Sequence, residues 1–279
     1  TRAARAAIGD ERVPRWTKAT PHPAPAELPF TRRGGATAVY LPACINRIFG
    51  PSRHATAPRP LPEALVAVSA RAGKPVWIPE DVAGTCCATP FTSKGFKDAQ
   101  TVMAKRLEAN LWRWSEQGSL PVVIDATSCA LGVKEEAAVA LGDEARERLA
   151  RVEVIDPVAW ANDHLLPGLE ITLPVRNAAL HPTCASRHLG LAAKAEALVG
   201  ALAGEVHVPS VSTCCGFAGD RGFLHPELTA AAVRPMADDL GVEPFDAHVS
   251  ANRTCEIGME QATGRPYESV IQLLERATR

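Results

Sequence analysis

The chain has 279 residues, 30 Lys and Arg against 31 Asp and Glu, a formal net charge of −1 and a hydrophobic content of 46%. A balance this close to neutral lacks the basic excess of a nucleic-acid binder, and no apolar run is long enough to span a bilayer. The length leaves room for two domains of ordinary size, with too many core-forming residues for a fold stapled by disulfides.

Taken in order, the stretch from Thr1 to Leu28 is rich in Ala, Arg and Pro and reads as a linker, which we extend to residue 35. The chain starts without Met, so a longer polypeptide is expected, with any targeting signal upstream. Ala38-Val-Tyr-Leu41 is a β-prone run that ends at the turn Pro42-Ala-Cys44. Val76-Trp-Ile78 ends at Pro79, ahead of the adjacent Cys86 and Cys87. Phe96, Ala99, Met103, Leu107 and Leu111 recur at helical spacing and predict a helix over 93–116. Trp112 and Trp114 on that helix read as packing residues. Pro121-Val-Val-Ile124 leads through Asp125-Ala-Thr-Ser to Cys129, and a fourth run, Val152 to Ile155, precedes a helix predicted over 157–166. Apolar, β-branched runs separated by helices are the mark of a parallel sheet in an α/β domain. The rest repeats the order: Ala178 to Leu180 before Cys184, Val206 to Val208 before Cys214 and Cys215, Ala247 to Val249 before Cys255, and a closing helix over 267–278.

The eight cysteines therefore form one pattern twice, a single Cys, an adjacent pair and a single Cys. Neighbouring residues repeat with them. Pro42, Cys44, Arg47 and Gly50 match Pro182, Cys184, Arg187 and Gly190; Lys94-Gly-Phe96 matches Arg221-Gly-Phe223; Gly132 and Gly258 each follow the last cysteine by three residues. We read an internal duplication. The predicted architecture is two parallel-sheet α/β domains related by pseudo-twofold symmetry, residues 36–168 and 169–279.

Four thiols per copy, Cys44, Cys86, Cys87 and Cys129, then Cys184, Cys214, Cys215 and Cys255, suffice for a tetrahedral metal site or an iron–sulfur cluster. Each lies after a strand, and in an open parallel sheet the strand C-terminal ends gather where ligands bind. Helix N-termini there lower thiol pKa values and supply N–H donors to sulfur. Adjacent cysteines bridge each other only with strain. They also make awkward joint ligands for one zinc ion, whereas a cluster presents a different iron to each sulfur. Zinc stays open as the alternative. Arg47 and Arg187, one helical turn after the first cysteine, are read as cofactor-binding residues that offset thiolate charge. His181 and His188 flank Cys184 without counterparts in the first copy and read as core or surface residues. No Gly-rich phosphate fingerprint accompanies a strand and helix.

Ser212-Thr-Cys214-Cys215-Gly216-Phe217-Ala218-Gly219, with His181-Pro182-Thr183-Cys184 upstream, resembles the cysteine-rich CCG domain found in heterodisulfide reductases and in the iron–sulfur component of glycolate oxidase. Val13-Pro-Arg-Trp-Thr17, the Pro42 to Gly50 segment and Asp125 to Cys129 are similar to the C-terminal part of FAD- and iron–sulfur-containing D-lactate (D-2-hydroxyacid) dehydrogenases. The resemblance implies an electron-transfer module that holds at least one iron–sulfur cluster of the 4Fe-4S type. FAD would sit on an upstream domain beside a ferredoxin-type cysteine run, with a quinone or cytochrome as acceptor. The setting would be cytoplasmic, at or near the inner membrane face. The family pattern ends in Cys-x-x-Cys, but here Gly258 stands in the last place, so each copy offers four cysteines. The first copy reads Cys86-Cys87-Ala88 and lacks the glycine. The second keeps Gly216, read as clearing the cluster's approach and permitting positive φ, and is the favoured cluster site. A thiol–disulfide redox module and a zinc-stabilised docking domain remain the alternatives. The fragment itself is not expected to oxidise a hydroxyacid.

Overall fold

The computed structural model describes residues 2–55, 59–212, 214–241 and 243–279; Thr213, inside the second cysteine motif, lies outside them. The chain begins with α1 (Arg2–Ile8), which buries none of its residues. The segment behind it is held by polar contacts to both halves of the molecule. Arg5 Nη2 donates to Leu224 O at 3.0 Å, the Arg15 amide to Phe223 O at 2.6 Å, and Gln261 Nε2 to Thr17 Oγ1 at 3.0 Å. On the other side the Gly50 amide donates to His22 O at 2.8 Å and Arg53 Nε to Thr20 O at 2.9 Å. What reads as a linker lies as a strap over both halves.

In the first half, β1 (Ala38–Leu41) runs into α2 (Cys44–Ile48), then α3 (Leu61–Arg71) and β2 (Val76–Trp77). A single turn, α4 (Thr89–Thr92), precedes α5 (Lys97–Trp114), β3 (Val122–Ile124) and α6 (Thr127–Leu131). The helix predicted over 93–116 is thus shorter, because Gly95 takes φ +73° and separates α4 from α5. Behind α6 the chain winds as a π-helix over Gly132–Ala137, then α7 (Asp143–Ala150), β4 (Val154–Ile155) and α8 (Pro157–Ala159). The helix predicted over 157–166 begins as α8 and continues as a π-helix over Trp160–Leu165.

The second half repeats the plan: β5 (Val175–Leu180), α9 (Cys184–His188), α10 (Ala192–Leu202), β6 (Ala203–His207), α11 (Arg221–Leu224), α12 (Pro226–Leu240), β7 (Ala247–Ser250) and α13 (Arg253–Thr263). The segment predicted as a closing helix over 267–278 holds a two-residue strand, β8 (Glu268–Ser269), before α14 (Val270–Ala277). Ser269 ends the strand and caps the helix in a reciprocal capping box with Gln272.

Each half is a four-stranded, all-parallel sheet, in order β2-β1-β3-β4 and β6-β5-β7-β8. The α/β class and the duplication are therefore both present. Equivalent elements meet reciprocally across the junction: α2 packs on α13 as α9 packs on α6, and α3 packs on α14 as α10 packs on α8 and its π-helical continuation. One hydrophobic core runs through both halves, from Ala38 and Val39 to Leu273 and Ala277, and a smaller one lies under the second cysteine group around Phe217, Met236 and Met259. On α14, Val270, Ile271, Leu273 and Leu274 are wholly buried, at roughly 1.5–3 kcal/mol each relative to exposure. Glu275 on the same helix is buried and takes Arg59 Nη1 at 2.9 Å and Arg71 Nη2 at 3.4 Å from the first half, and Arg279 Nη2 at 2.7 Å. Among the described residues no helix is long and apolar enough to cross a membrane.

Candidate metal centres

In each sheet the crossovers leave the two central strands in opposite directions, so a crevice opens at their C-terminal ends. In the first half those strands are β1 and β3, paired through Leu41 and Ile124. Cys44 opens α2 just beyond β1, and Cys129 lies in the first turn of α6 just beyond β3. In the second half, Leu180 pairs with Val249, Cys184 opens α9, and Cys255 lies in the first turn of α13. The adjacent pairs do not follow their strands directly. They ride on long loops from the edge strands β2 and β6 that return to the crevice.

The thiols meet as the duplicated pattern predicts. Cys44 Sγ lies 3.8 Å from Cys86 Sγ, and Cys87 Sγ 3.0 Å from Cys129 Sγ. Cys215 Sγ and Cys255 Sγ are 2.9 Å apart, and Cys184 hydrogen-bonds Cys214. All eight cysteines are free thiols. The inner thiols Cys87, Cys129, Cys215 and Cys255 are buried; Cys44 and Cys86 are half-buried, and Cys184 and Cys214 are exposed. The second centre therefore faces solvent more openly than the first.

Within each group one sulfur collects the charge. Hydrogen bonds from Cys44 and Cys87, the Ala88 amide and the charge of Arg47 pull the Cys86 thiol far below its usual range. The Cys214 thiol is lowered in the same way by Cys184, Cys215, the Gly216 amide and His181. Cys44 and Cys184 are pushed up because each donates its proton to that sulfur. Cys87 and Cys215 are also raised, by their thiol neighbours and by burial.

Arg47 and Arg187 do not point their guanidinium groups at sulfur. Arg47 donates to Val82 O at 3.2 Å and to Thr85 O, the residue before the pair. Arg187 donates to Ser212 O, two residues before the pair in the second loop. Both arginines fasten the loop that carries the cysteine pair back to the helix that carries the single cysteine. Gly216 has φ +68°, and its amide reaches Cys214 Sγ at 3.4 Å. A Cβ there would meet Ala232 Cβ at 2.7 Å and Leu228 O at 3.1 Å, so what excludes a side chain is α12 rather than a cluster. Ala88 takes φ +69° in the first copy. The missing glycine has not changed the backbone, although the left-handed conformation costs a non-glycine residue roughly 1–2 kcal/mol.

Three features at the centres escape sequence reasoning. Asp125 Oδ1 accepts the Ala43 amide at 2.7 Å and Oδ2 the Tyr40 hydroxyl at 2.6 Å, fixing the turn that presents Cys44. A Cβ on Gly132 would fall 1.9 Å from Thr89 Oγ1, and one on Gly258 would lie 3.1 Å from Thr229 Cγ2 and 3.6 Å from Cys215 O. The place of a fifth thiol is thus filled by a threonine in each half. Neither threonine carried a signal, because only the tertiary packing brings it there. Of the histidines, His181 is buried with Nδ1 3.0 Å from Ser250 Oγ, and His188 is a surface partner of Glu135 at 2.9 Å. Lys94 Nζ meets Asp220 Oδ2 at 2.6 Å, joining equivalent loops of the two halves. Trp114 is buried with its Nε1 on Asp81, and Trp112 lies under Arg151.

Four soft sulfur donors in a close group fit a metal cluster. A tetrahedral zinc ion would space its sulfurs about 3.8 Å apart, given Zn–S bonds of about 2.3 Å. Cys44 and Cys86 stand at that distance, whereas the inner pairs at 3.0 and 2.9 Å would have to part to ligate either one zinc ion or the separate irons of a cluster. Among the described residues no three His, Cys, Asp or Glu side chains converge to hold a single ion. Over residues 39–134, and again over residues 178–260, the chain matches the family model described as a cysteine-rich domain, CCG.

Proposed function

The chain belongs to the CCG cysteine-rich domain family, whose members are redox modules of the iron–sulfur type associated with oxidoreductases, and from that premise we propose that it relays electrons for a flavin-dependent D-2-hydroxyacid dehydrogenase of the D-lactate or glycolate type. The observation that carries this reading is the paired four-thiol group at the crevice of each sheet. Cys184, Cys214, Cys215 and Cys255 would hold one 4Fe-4S cluster, with Cys44, Cys86, Cys87 and Cys129 as the second set. When bound, such a cluster supplies one-electron transfer. The chain's own residues supply the rest. The lowered thiols of Cys86 and Cys214 provide ready ligands, the arginines hold the pair loops in place, and burial of the inner cysteines keeps water from half of each group.

Residues 36–168 and 169–279 would be the two modules. The electron donor would be FAD on a domain preceding this segment, beside a ferredoxin-type domain. Exposure of Cys184 and Cys214 favours the second centre as the one that meets an external quinone or cytochrome at the cytoplasmic face of the membrane. The inner thiol contacts also support a second reading, a dithiol–disulfide module in which Cys87 with Cys129, or Cys215 with Cys255, gives up two electrons and two protons.

Anaerobic purification followed by iron, sulfide and zinc analysis, with EPR of the reduced protein, tests both. Iron and acid-labile sulfide in near-equal amounts with a reduced-cluster signal are expected. A metal-free protein with a titratable disulfide would shift the assignment to the thiol module. Stoichiometric zinc without sulfide would make the chain a zinc-stabilised docking domain and end the relay proposal.

A further inference from the structure

A cleft of about 450 Å³ opens where the chain enters β7 and β8, at the end of the second sheet opposite the cysteines. Phe245, His248, Arg265 and Tyr267 line it, together with Arg59 and Arg276. Its charges are not all spoken for. Arg59 is paired with Glu275 at 2.9 Å and Arg276 with Glu268 at 2.8 Å, and Asp246 is taken by Arg176 at 2.8 Å. Arg265 has no carboxylate partner among the described residues, yet stands close enough to His248 for its charge to be felt there.

The polar groups beside it are also unspent. Tyr267 is only 1% exposed, and its hydroxyl has no hydrogen-bond partner. A buried donor left in that state has lost its bond to water, and nothing inside the fold replaces it. Burial also raises the phenol well above its ordinary value, so it remains a donor. The His248 ring makes no hydrogen bond among the described residues, although its backbone is part of the β5–β7 ladder. Burial, reinforced by Arg265, holds its imidazole down at about 4, so the ring is neutral at physiological pH and keeps one N–H. Its ring lies 5.2 Å from that of Tyr267 and meets Phe245 edge-on at 5.7 Å, which fixes its orientation. A guanidinium, a phenolic O–H and an imidazole N–H therefore belong to residues lining one cleft, while the nearby carboxylates are already engaged by arginines.

We propose that this cleft binds a small oxoanion, a carboxylate or phosphate group, with its charge on Arg265 and its oxygens on the Tyr267 hydroxyl and the His248 ring. The site is separate from the thiol centres and does not depend on what they hold.

The test is an NMR titration of the His248 Cε1–H resonance in the full chain, with inorganic phosphate in one series and acetate in the other, at constant ionic strength set by chloride. A saturable shift is expected with at least one anion, and the one that saturates identifies the group recognised. Arg265→Gln and Tyr267→Phe should each weaken it at least about tenfold, the scale of a lost charge-assisted or buried hydrogen bond, while Arg176→Gln should not. Tyr267→Phe keeps the ring and removes only the partnerless hydroxyl, so the anion-free variant should melt no lower than the parent. Absence of saturation with both anions, or unchanged affinity in both variants, would overturn the site.

Discussion

An arginine beside a thiolate that gives its guanidinium to backbone carbonyls acts through shape more than charge. Arg47 and Arg187 both do this, one turn after the first cysteine of each group. Their spacing is plain in the sequence, but their targets are not, since those depend on a loop that leaves an edge strand and returns. If they position the pair loops, Arg187→Lys should behave much like Arg187→Ala, because an ammonium cannot span the positions of a planar fork. If the cysteines hold the proposed cluster, both should speed release of its iron to a chelator by roughly tenfold or more, the range for residues that orient ligands. Full rescue by lysine would mean that charge alone was needed. The gathering of the sulfurs into one group per half was legible from their repetition; Thr89, Thr229 and the Asp125 bond to Ala43 were not, because single residues with no periodicity acquire their roles only through packing.

At the scale of elements, the apolar β-branched runs announced six of the eight strands near their true positions, and β4 besides. Strand β8 was missed because its two residues, Glu268 and Ser269, are polar and run straight into α14. The π-helical turns had no marker either, since their hydrophobic residues look like those of an ordinary helix. Short α8 illustrates how an end is held: Asp156 Oδ1 accepts the Val158 amide at 2.7 Å. Burial raises this carboxyl to about 6, against the opposing bonds from Thr127, Val158 and Ala159. A folded value above the unfolded one means the native state binds the proton more tightly. This group's contribution is therefore greatest below about pH 4, falls as the pH rises to about 6, and is level beyond that. Asp156→Asn keeps the cap acceptor without the buried charge. Its stability relative to the parent should rise between pH 4.5 and pH 7.5, at about 1.4 kcal/mol per unit of displacement. Urea unfolding at the two pH values measures this, and a difference independent of pH would refute it.

For the whole molecule, the duplication could be read from the cysteines, but not the intimacy of the two halves, because reciprocal helix contacts leave no sequence trace. A continuous core predicts one cooperative transition rather than two. Four of the five tryptophans, Trp77, Trp112, Trp114 and Trp160, lie in the first half and Trp16 lies on the strap, so their fluorescence reports mainly on the first half, whereas far-UV circular dichroism reports on both. The two probes should give coincident unfolding curves. Glu275→Gln, a change in the second half, should shift both equally, since it removes the carboxylate that Arg59 and Arg71 reach from the first. Those arginines are about a third exposed, so water softens the loss to below the about 3–5 kcal/mol of a fully buried pair. A fluorescence curve left unmoved would show that the halves unfold separately.

The left-handed turn at Ala88 has an evolutionary reading. Alanine and glycine differ by one codon base. Moving between them here exchanges backbone strain for extra freedom of the unfolded chain, two terms of similar size. Ala88 already carries its methyl group, fully buried, whereas a Cβ at Gly216 would be hemmed in by α12. The first centre thus houses a methyl where the second has no room for one, so the spelling of a duplicated motif can change while its backbone geometry stays the same.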